Sequence, residues 1–336
     1  MAIAVYTSTD EKWSFAEQTT WGTAVGDSAA QVGILTEGFG INSEINFRNP
    51  PRARAQRYSH TNDVVADTKG VVFNSDGANG PGVKDYIDYL FYGVMQNVTE
   101  SSGTPFQKTF TFGQTQPDFS ANAGIFFTLW NKAQVASTSQ KLYDAIISEL
   151  TLSCAPDANE SILWAAPTWI GRTHSDTANP SGTVTYPDFA STDQFNFYDI
   201  GVATLGGSSV VLGNNGVSIT IRNNASKVGQ SSGVPQTFAL PRYEVEMSWH
   251  ILWDSVARTM MSNARAGTAV AFELEWGSSG SDGHLEFTGS SKIMNAVNLE
   301  HAQEGNFVTV NLACEGIYGT TEPFQVIHSN AVDRGW

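Results

Sequence analysis

Apolar and polar residues alternate along much of the chain. Phe39, Ile41, Ile45 and Phe47 alternate with polar residues from Gly38 to Phe47, and the run closes in Arg48-Asn49. Val217, Ile219 and Ile221 do the same from Gly216 to Ile221, and that run closes in Arg222-Asn223. A period of two with one apolar face predicts a half-buried strand in each case. Each run is followed by a polar loop and then a short strand, Gly70 to Phe73 or Tyr243 to Met247. The period then changes. Val83, Ile87, Leu90 and Val94 share the i, i+4, i+7, i+11 spacing of Trp249, Trp253, Val256 and Met260, which predicts one amphipathic helix in each half.

Strands predicted at Ile125 to Trp130, Ile146 to Leu152 and Ile162 to Ile170 have counterparts in the same order at Ala269 to Trp276, Ile293 to Leu299 and Phe307 to Tyr318. An order repeated at about 145 to 175 positions predicts a mainly β (α+β) chain. The expected fold is two tandem copies of a β-sandwich or barrel domain, each with one flanking helix. One continuous α+β domain is the alternative. The apolar-poor stretch Arg172 to Asp193, with Pro180, Gly182 and Pro187, reads as a linker. Few lysines occur in the predicted strands, so their open edges lack the usual protection and favour pairing with another subunit.

Charge narrows the partners. With 18 Lys plus Arg against 33 Asp plus Glu, the formal net charge is −15, which argues against wrapping nucleic acid. Charged residues make up 15% of the chain, so intersubunit contacts, rather than charge, are expected to cover part of the surface. The cysteines, Cys154 and Cys314, end apolar runs and read as small buried hydrophobes; two are too few for a disulfide framework or a four-cysteine zinc site. Met1 to Lys12 has neither a basic n-region nor an apolar h-region, and nowhere do eighteen apolar residues run together. Neither signal-peptide export nor a membrane span is expected.

Motifs for catalysis fail on context. Gly229-Gln230-Ser231-Ser232-Gly233 satisfies G-x-S-x-G, but a polar loop precedes it and Pro235 and a strand follow, where a nucleophile needs a strand-to-helix turn. Gly77, Gly80 and Gly82 precede no Lys-Ser or Lys-Thr, and Pro81 near a helix start explains them as a turn. His60, His174, His250, His284, His301 and His328 show no metal-ligand spacing. No catalysis, cofactor or metal is expected. Arg48, Arg52, Arg54 and Arg57 fall within ten residues around Pro50-Pro51 in this acidic chain. They read as a solvated loop or as a subunit-docking loop in which guanidinium forks meet carboxylates, with DNA binding third.

The segment Glu17-Gln18-Thr19-Thr20-Trp21-Gly22-Thr23-Ala24 resembles the E-x-x-x-[YW]-G-T-x opening of bacteriophage tail tube proteins, and the order of elements after it resembles their fold. With the duplicated pattern, the chain resembles the two-domain major tail protein of long-tailed phages (siphoviruses). The resemblance implies an N-terminal arm (1–32), tube domain 1 (33–171), a linker (172–198), tube domain 2 (199–320) and a C-terminal tail (321–336). It further implies a homotrimeric, pseudo-hexameric ring in which each domain gives four strands to an inner barrel, and rings that stack into a tube for DNA ejection. The bulk of the tube is then the chain's own partner. Tail tip, tail terminator and tape measure proteins follow, with double-stranded DNA passing transiently. The location implied is the virion tail, after synthesis in the host cytoplasm. About 24 strands at roughly 4.8 Å spacing and about 40° tilt give a backbone barrel about 48 Å across, which leaves about 35 Å inside the side chains. An acidic lumen would repel phosphate and keep friction low. On this basis Arg48, Arg52, Arg54 and Arg57 are candidates for ring stacking. Ile146, Leu150, Leu152, Ile293, Val297 and Leu299 are candidates for the barrel wall. The rival is a β-sandwich carbohydrate- or receptor-binding surface protein, suggested by the Trp, Tyr and Asn content.

Overall fold

The computed structural model describes residues 12–34, 40–43, 46–48, 65–67, 73–76, 80–113, 115–132, 139–156, 158, 161–177, 180–187, 190–231, 234–302, 305–315 and 323–336. Its first half runs β1 (Lys12–Glu17), β2 (Gln31–Gly33), β3 (Gly40–Ser43), β4 (Asn46–Arg48), β5 (Val65–Asp67), β6 (Phe73–Asp76), β7 (Gly80–Pro81), α1 (Ile87–Met95), β8 (Val98–Glu100), β9 (Phe106–Phe110), β10 (Phe127–Lys132), β11 (Ser139–Cys154) and β12 (Trp164–Thr177). After β13 (Val184–Thr185) the second half runs β14 (Ile200–Leu205), β15 (Ser208–Ser209), β16 (Leu212–Arg222), β17 (Ser226–Ser231), β18 (Val234–Ala239), β19 (Glu244–Leu252), α2 (Ser255–Ala266), β20 (Ala269–Trp276), β21 (His284–Ala302), β22 (Gly305–Glu315) and β23 (Phe324–Asn330). The chain is mainly β, as the alternation predicts.

The two halves share one ladder. In the first, β1 pairs with β10, β10 with β11, β11 with β12, β12 with β6, and β6 with β3, all antiparallel. In the second, β14 pairs with β20, β20 with β21, β21 with β22, β22 with β19, and β19 with β16, again all antiparallel. The halves meet where Glu149–Cys154 of β11 pairs with Val217–Arg222 of β16. An eight-stranded wall results, in the order β3, β6, β12, β11, β16, β19, β22, β21. Among the described residues it does not close on itself within one chain.

Side chains explain the wall's two faces. Leu150, Leu152, Ile219, Ile221, Val245, Met247, Trp249, Val310 and Leu312 are buried and point into the core. The positions between them are polar: Ser153, Ser218, Ser248 and Asn311 lie in one row across four strands, and Glu246 falls between Val245 and Met247. Helix α1 buries Ile87, Leu90, Phe91 and Val94, and packs over β11 as α2 packs over β21. Helix α2 starts where the Asp254 carboxylate accepts hydrogen bonds from the Val256 and Ala257 amides (2.8 and 3.0 Å). It stops at Gly267, whose φ of 63° suits the left-handed cap.

Several sequence expectations shift. Trp249 and Trp253 are not helical: Trp249 lies in β19 and Trp253 precedes the Asp254 cap, so the helical spacing there is coincidental. The period-two set Val245, Met247, Trp249, Ile251 is fully buried, and burial decided the outcome. Val83 likewise precedes α1, bridging Gln194. The stretch read as an N-terminal arm contains β1, paired along its whole length with β10. The stretch read as a linker contains the end of β12, then β13 in parallel with β2. The stretch read as a C-terminal tail supplies β23, which lies between β21 and β9 and so joins the second half to the first.

Candidate assembly surfaces

The seam between the halves is a worked example of how two blocks of this fold join. Leu150 faces Ile221 and Leu152 faces Ile219 on the core side, while Thr151 and Thr220 share a hydrogen bond (3.1 Å) on the other. At its end Arg222 stands opposite Glu149, its Nε 2.7 Å from Oε2, and its other arm reaches Glu246 on β19 at 2.7 Å. These two carboxylates hold the guanidinium charged and raise its pKa. The next residue, Asn223, is buried and donates through Nδ2 to Ile147 O (2.7 Å) and Val94 O (3.2 Å). It thereby satisfies a carbonyl beside the β11 bulge, between Ile147 and Glu149, and another in the last turn of α1. Asn223→Ala is expected to cost about 2 kcal/mol in urea unfolding of the subunit, because it removes two buried hydrogen bonds to the backbone.

The segment Glu17 to Ala24 forms a second lock. Trp21 packs edge-on against Phe126 and Phe238 (5.2 and 5.9 Å), tilts over Phe119, and donates through Nε1 to Gln236 O (2.9 Å). The hairpin β17–β18 of the second half is thus seated on the first. Phe119, Phe126, Ile146, Phe238 and Leu240 form the small core beneath it.

Two edges of the wall carry no strand among the described residues. β3 pairs only with β6. On β21, Lys292 has Ala313 on one side and Ala269 on the other, but from Ile293 to Ala302 only β22 is paired. These edges are the wall's two ends, and both belong to an antiparallel ladder open to extension. The face of the wall away from the core carries Glu149, Arg222, Glu244 and Glu246 among Ser and Thr.

Sequence-predicted residues fall at different places. Arg48 ends β4, although its side chain lies outside the description, and Arg52, Arg54 and Arg57 lie outside the described residues altogether. Ile146, Leu150 and Leu152 are buried in β11. Ile293 and Leu299 stand opposite Leu312 and Val308, with Val297 in the bulge between Ala296 and Leu299; the three side chains lie outside the description. Ser231 ends β17 opposite Val234 in a hairpin, which is no nucleophile elbow. Cys154 is buried, and burial pushes its thiol up to about 12. Among the described residues no group of three His, Cys, Asp or Glu could hold a metal ion, and no helix is long and apolar enough to cross a membrane. Glu149, Asn223 and the Asp144–Arg172 pair (2.8 Å) under Trp21 were not singled out from sequence, because a lone polar residue in a strand carries no local signal.

No curated protein matches the chain. A family profile does, and over nearly its whole length: described as phage tail tube protein, it covers residues 10–315, from before β1 to the end of β22. That match spans both halves of the wall and the Glu17 to Ala24 segment together, and with it the chain belongs to the phage tail tube proteins, structural components of the virion tail.

Proposed function

We propose that three copies of this chain close into a pseudo-hexameric ring, and that the rings stack into the hollow tail tube through which genome DNA leaves a siphovirus-type virion. The observation that carries the reading is the wall itself. Two four-stranded blocks of the same order are already joined edge to edge by β11 and β16, and the wall ends in one strand of each kind: β3, which together with the β4 segment after it matches β16, and β21, the counterpart of β11. Repeating the internal seam between copies uses both free edges and leaves none. Three copies then supply about 24 strands, and the polar, acid-rich face becomes a lumen that offers DNA few cations to bind.

In this reading the barrel wall includes Ile146, Leu150 and Leu152 with Ile293, Val297 and Leu299, and Arg52, Arg54 and Arg57 serve ring stacking, while Arg48, the fourth arginine expected there, belongs to the joint between copies within a ring. The tape measure, tail tip and tail terminator proteins are the further partners. Negative-stain images of the purified protein at rising concentration test the proposal. Rings or hollow rods are expected; discrete monomers at all concentrations would refute it.

A further inference from the structure

We infer that the seam between two copies is held by an ion pair between Arg48 of one copy and Glu300 of the next, the counterpart of Arg222 with Glu149 inside the chain. The inference rests on the ring reading above and assigns residues to its seam. Ile45-Asn46-Phe47-Arg48-Asn49 repeats Ile219-Thr220-Ile221-Arg222-Asn223, which makes Arg48 the sequence counterpart of Arg222.

The ladders identify the other partner. Val217 lies five residues before Arg222, and from it the pairing runs across the second block through Trp249 and Val310 to Ala296. Ser43 lies five residues before Arg48, and from it the pairing runs across the first block through Phe73 and Gly171 to Ala145. Ala145 and Ala296 therefore hold the same place in the two blocks. Glu149 is four residues beyond Ala145 with one bulge between, at Ile147/Glu149, and Glu300 is four residues beyond Ala296 with one bulge between, at Ala296/Leu299. The strands opposite agree as well: Glu149 faces Thr168, three residues before Gly171, and Glu300 faces Phe307, three residues before Val310.

Glu300 thus occupies in the second block the position from which Glu149 meets Arg222. It is also the one carboxylate in the sequence from Ile293 to Ala302, the stretch that forms the free edge. The second acid around Arg222 is repeated too. Glu246 stands opposite Thr220 on the adjacent strand of the wall, and Asp67 of β5 stands opposite Asn46 of β4, the residue that matches Thr220, in a two-stranded sheet of their own. With β4 laid along the free end of β21, Arg48 would face Glu300 across the seam with Asp67 on the neighbouring strand of its own copy, so the same charge pattern would select the same register at every joint of the ring.

Charge reversal tests the pair. Arg48→Glu and Glu300→Arg should each raise the protein concentration needed for assembly about tenfold or more, measured by sedimentation and negative stain, while the melting of the dispersed subunit stays unchanged. The double variant should return assembly toward the wild-type concentration. Arg48→Ala and Glu300→Gln, which add no repulsion, should give smaller losses of the same sign. Single reversals that assemble as the wild type does, or a double variant no better than the two losses combined, would overturn the pair and leave the ring standing. A wild-type protein that never forms rings would overturn both.

Discussion

Replacing Asp88 by Asn is expected to lower the stability of the isolated subunit by about 3–5 kcal/mol, since it removes one partner from a buried ionic group. Asp88 lies in α1 with no exposure, and its carboxylate receives Arg334 Nε at 3.0 Å and Lys108 Nζ at 3.2 Å. Lys108 is itself fully buried and donates to the Asn330 side chain and to Val332 O (2.9 Å). Arg334 lies over the Tyr89 ring at 4.1 Å, and Trp336 stacks on Tyr92 at 4.0 Å. The carboxylate therefore fastens the end of the chain to the first half's helix. Without its charge Lys108 keeps Glu100 at 3.6 Å, and Arg334 keeps the field of Asp85. Urea unfolding at neutral pH measures the loss, and Trp fluorescence should report release of the C-terminal segment first.

The same group makes stability depend on pH. Burial alone would raise the Asp88 pKa, but the charge and hydrogen bonds of Arg334, with His328 and Lys108 behind it, outweigh burial and leave the carboxyl below its ordinary value. The unfolded chain then binds this proton at higher pH than the folded one. The contribution is complete above the ordinary carboxylate range and is lost as pH falls through the folded value. The gap between wild type and Asp88→Asn should accordingly narrow on acidification. A gap constant down to the acid transition would place the stabilisation elsewhere.

How far the sequence could be read depended on which physical signal each element carries. β16, β19, β20 and β22 bury alternate apolar residues, and a period of two with that contrast is visible without coordinates. β23 is not visible in this way. Its His328, Ser329 and Asn330 look like surface residues, yet all three are buried, with His328 set between the carbonyl oxygens of His284 and Lys84 at 2.7 Å each. The Trp249 to Met260 stripe fits a helix and a strand at once over its first residues; only the Asp254 cap separates them. The open strand edges read as pairing with another subunit, whereas β11 and β16 pair inside the chain. Register is set by partners about seventy residues away, and Arg222 shows its role only when Glu149 is opposite it.

Asp144 is the second position where a large loss is expected, and the ranking of two variants shows which of its duties matters. It sits in β11 at φ 53°, fully buried, a conformation that Asp and Asn tolerate better than other non-glycine residues. Its Oδ1 accepts from the Gln18 side chain and from the Gly22 amide (2.7 Å), and its Oδ2 meets Arg172 NH1 at 2.8 Å. Arg172 in turn donates through Nε to Pro235 O at 2.6 Å and lies over the Trp21 ring at 5.7 Å. One carboxylate thus connects the turn after β1 to the hairpin β17–β18, and through it the first half to the second. Asp144→Ala should cost about 3–5 kcal/mol, because it strands the Arg172 charge, leaves the Gly22 amide without its acceptor and puts alanine at positive φ. Asp144→Asn also takes the counter-charge from Arg172 but keeps the backbone preference and one acceptor, so a smaller loss of about 2 kcal/mol is expected. Hydrogen exchange should show the difference at the β17–β18 amides, faster in Ala than in Asn. Equal losses from both variants, with the hairpin amides unchanged, would mean that Trp21 and its aromatic neighbours hold the hairpin without the carboxylate.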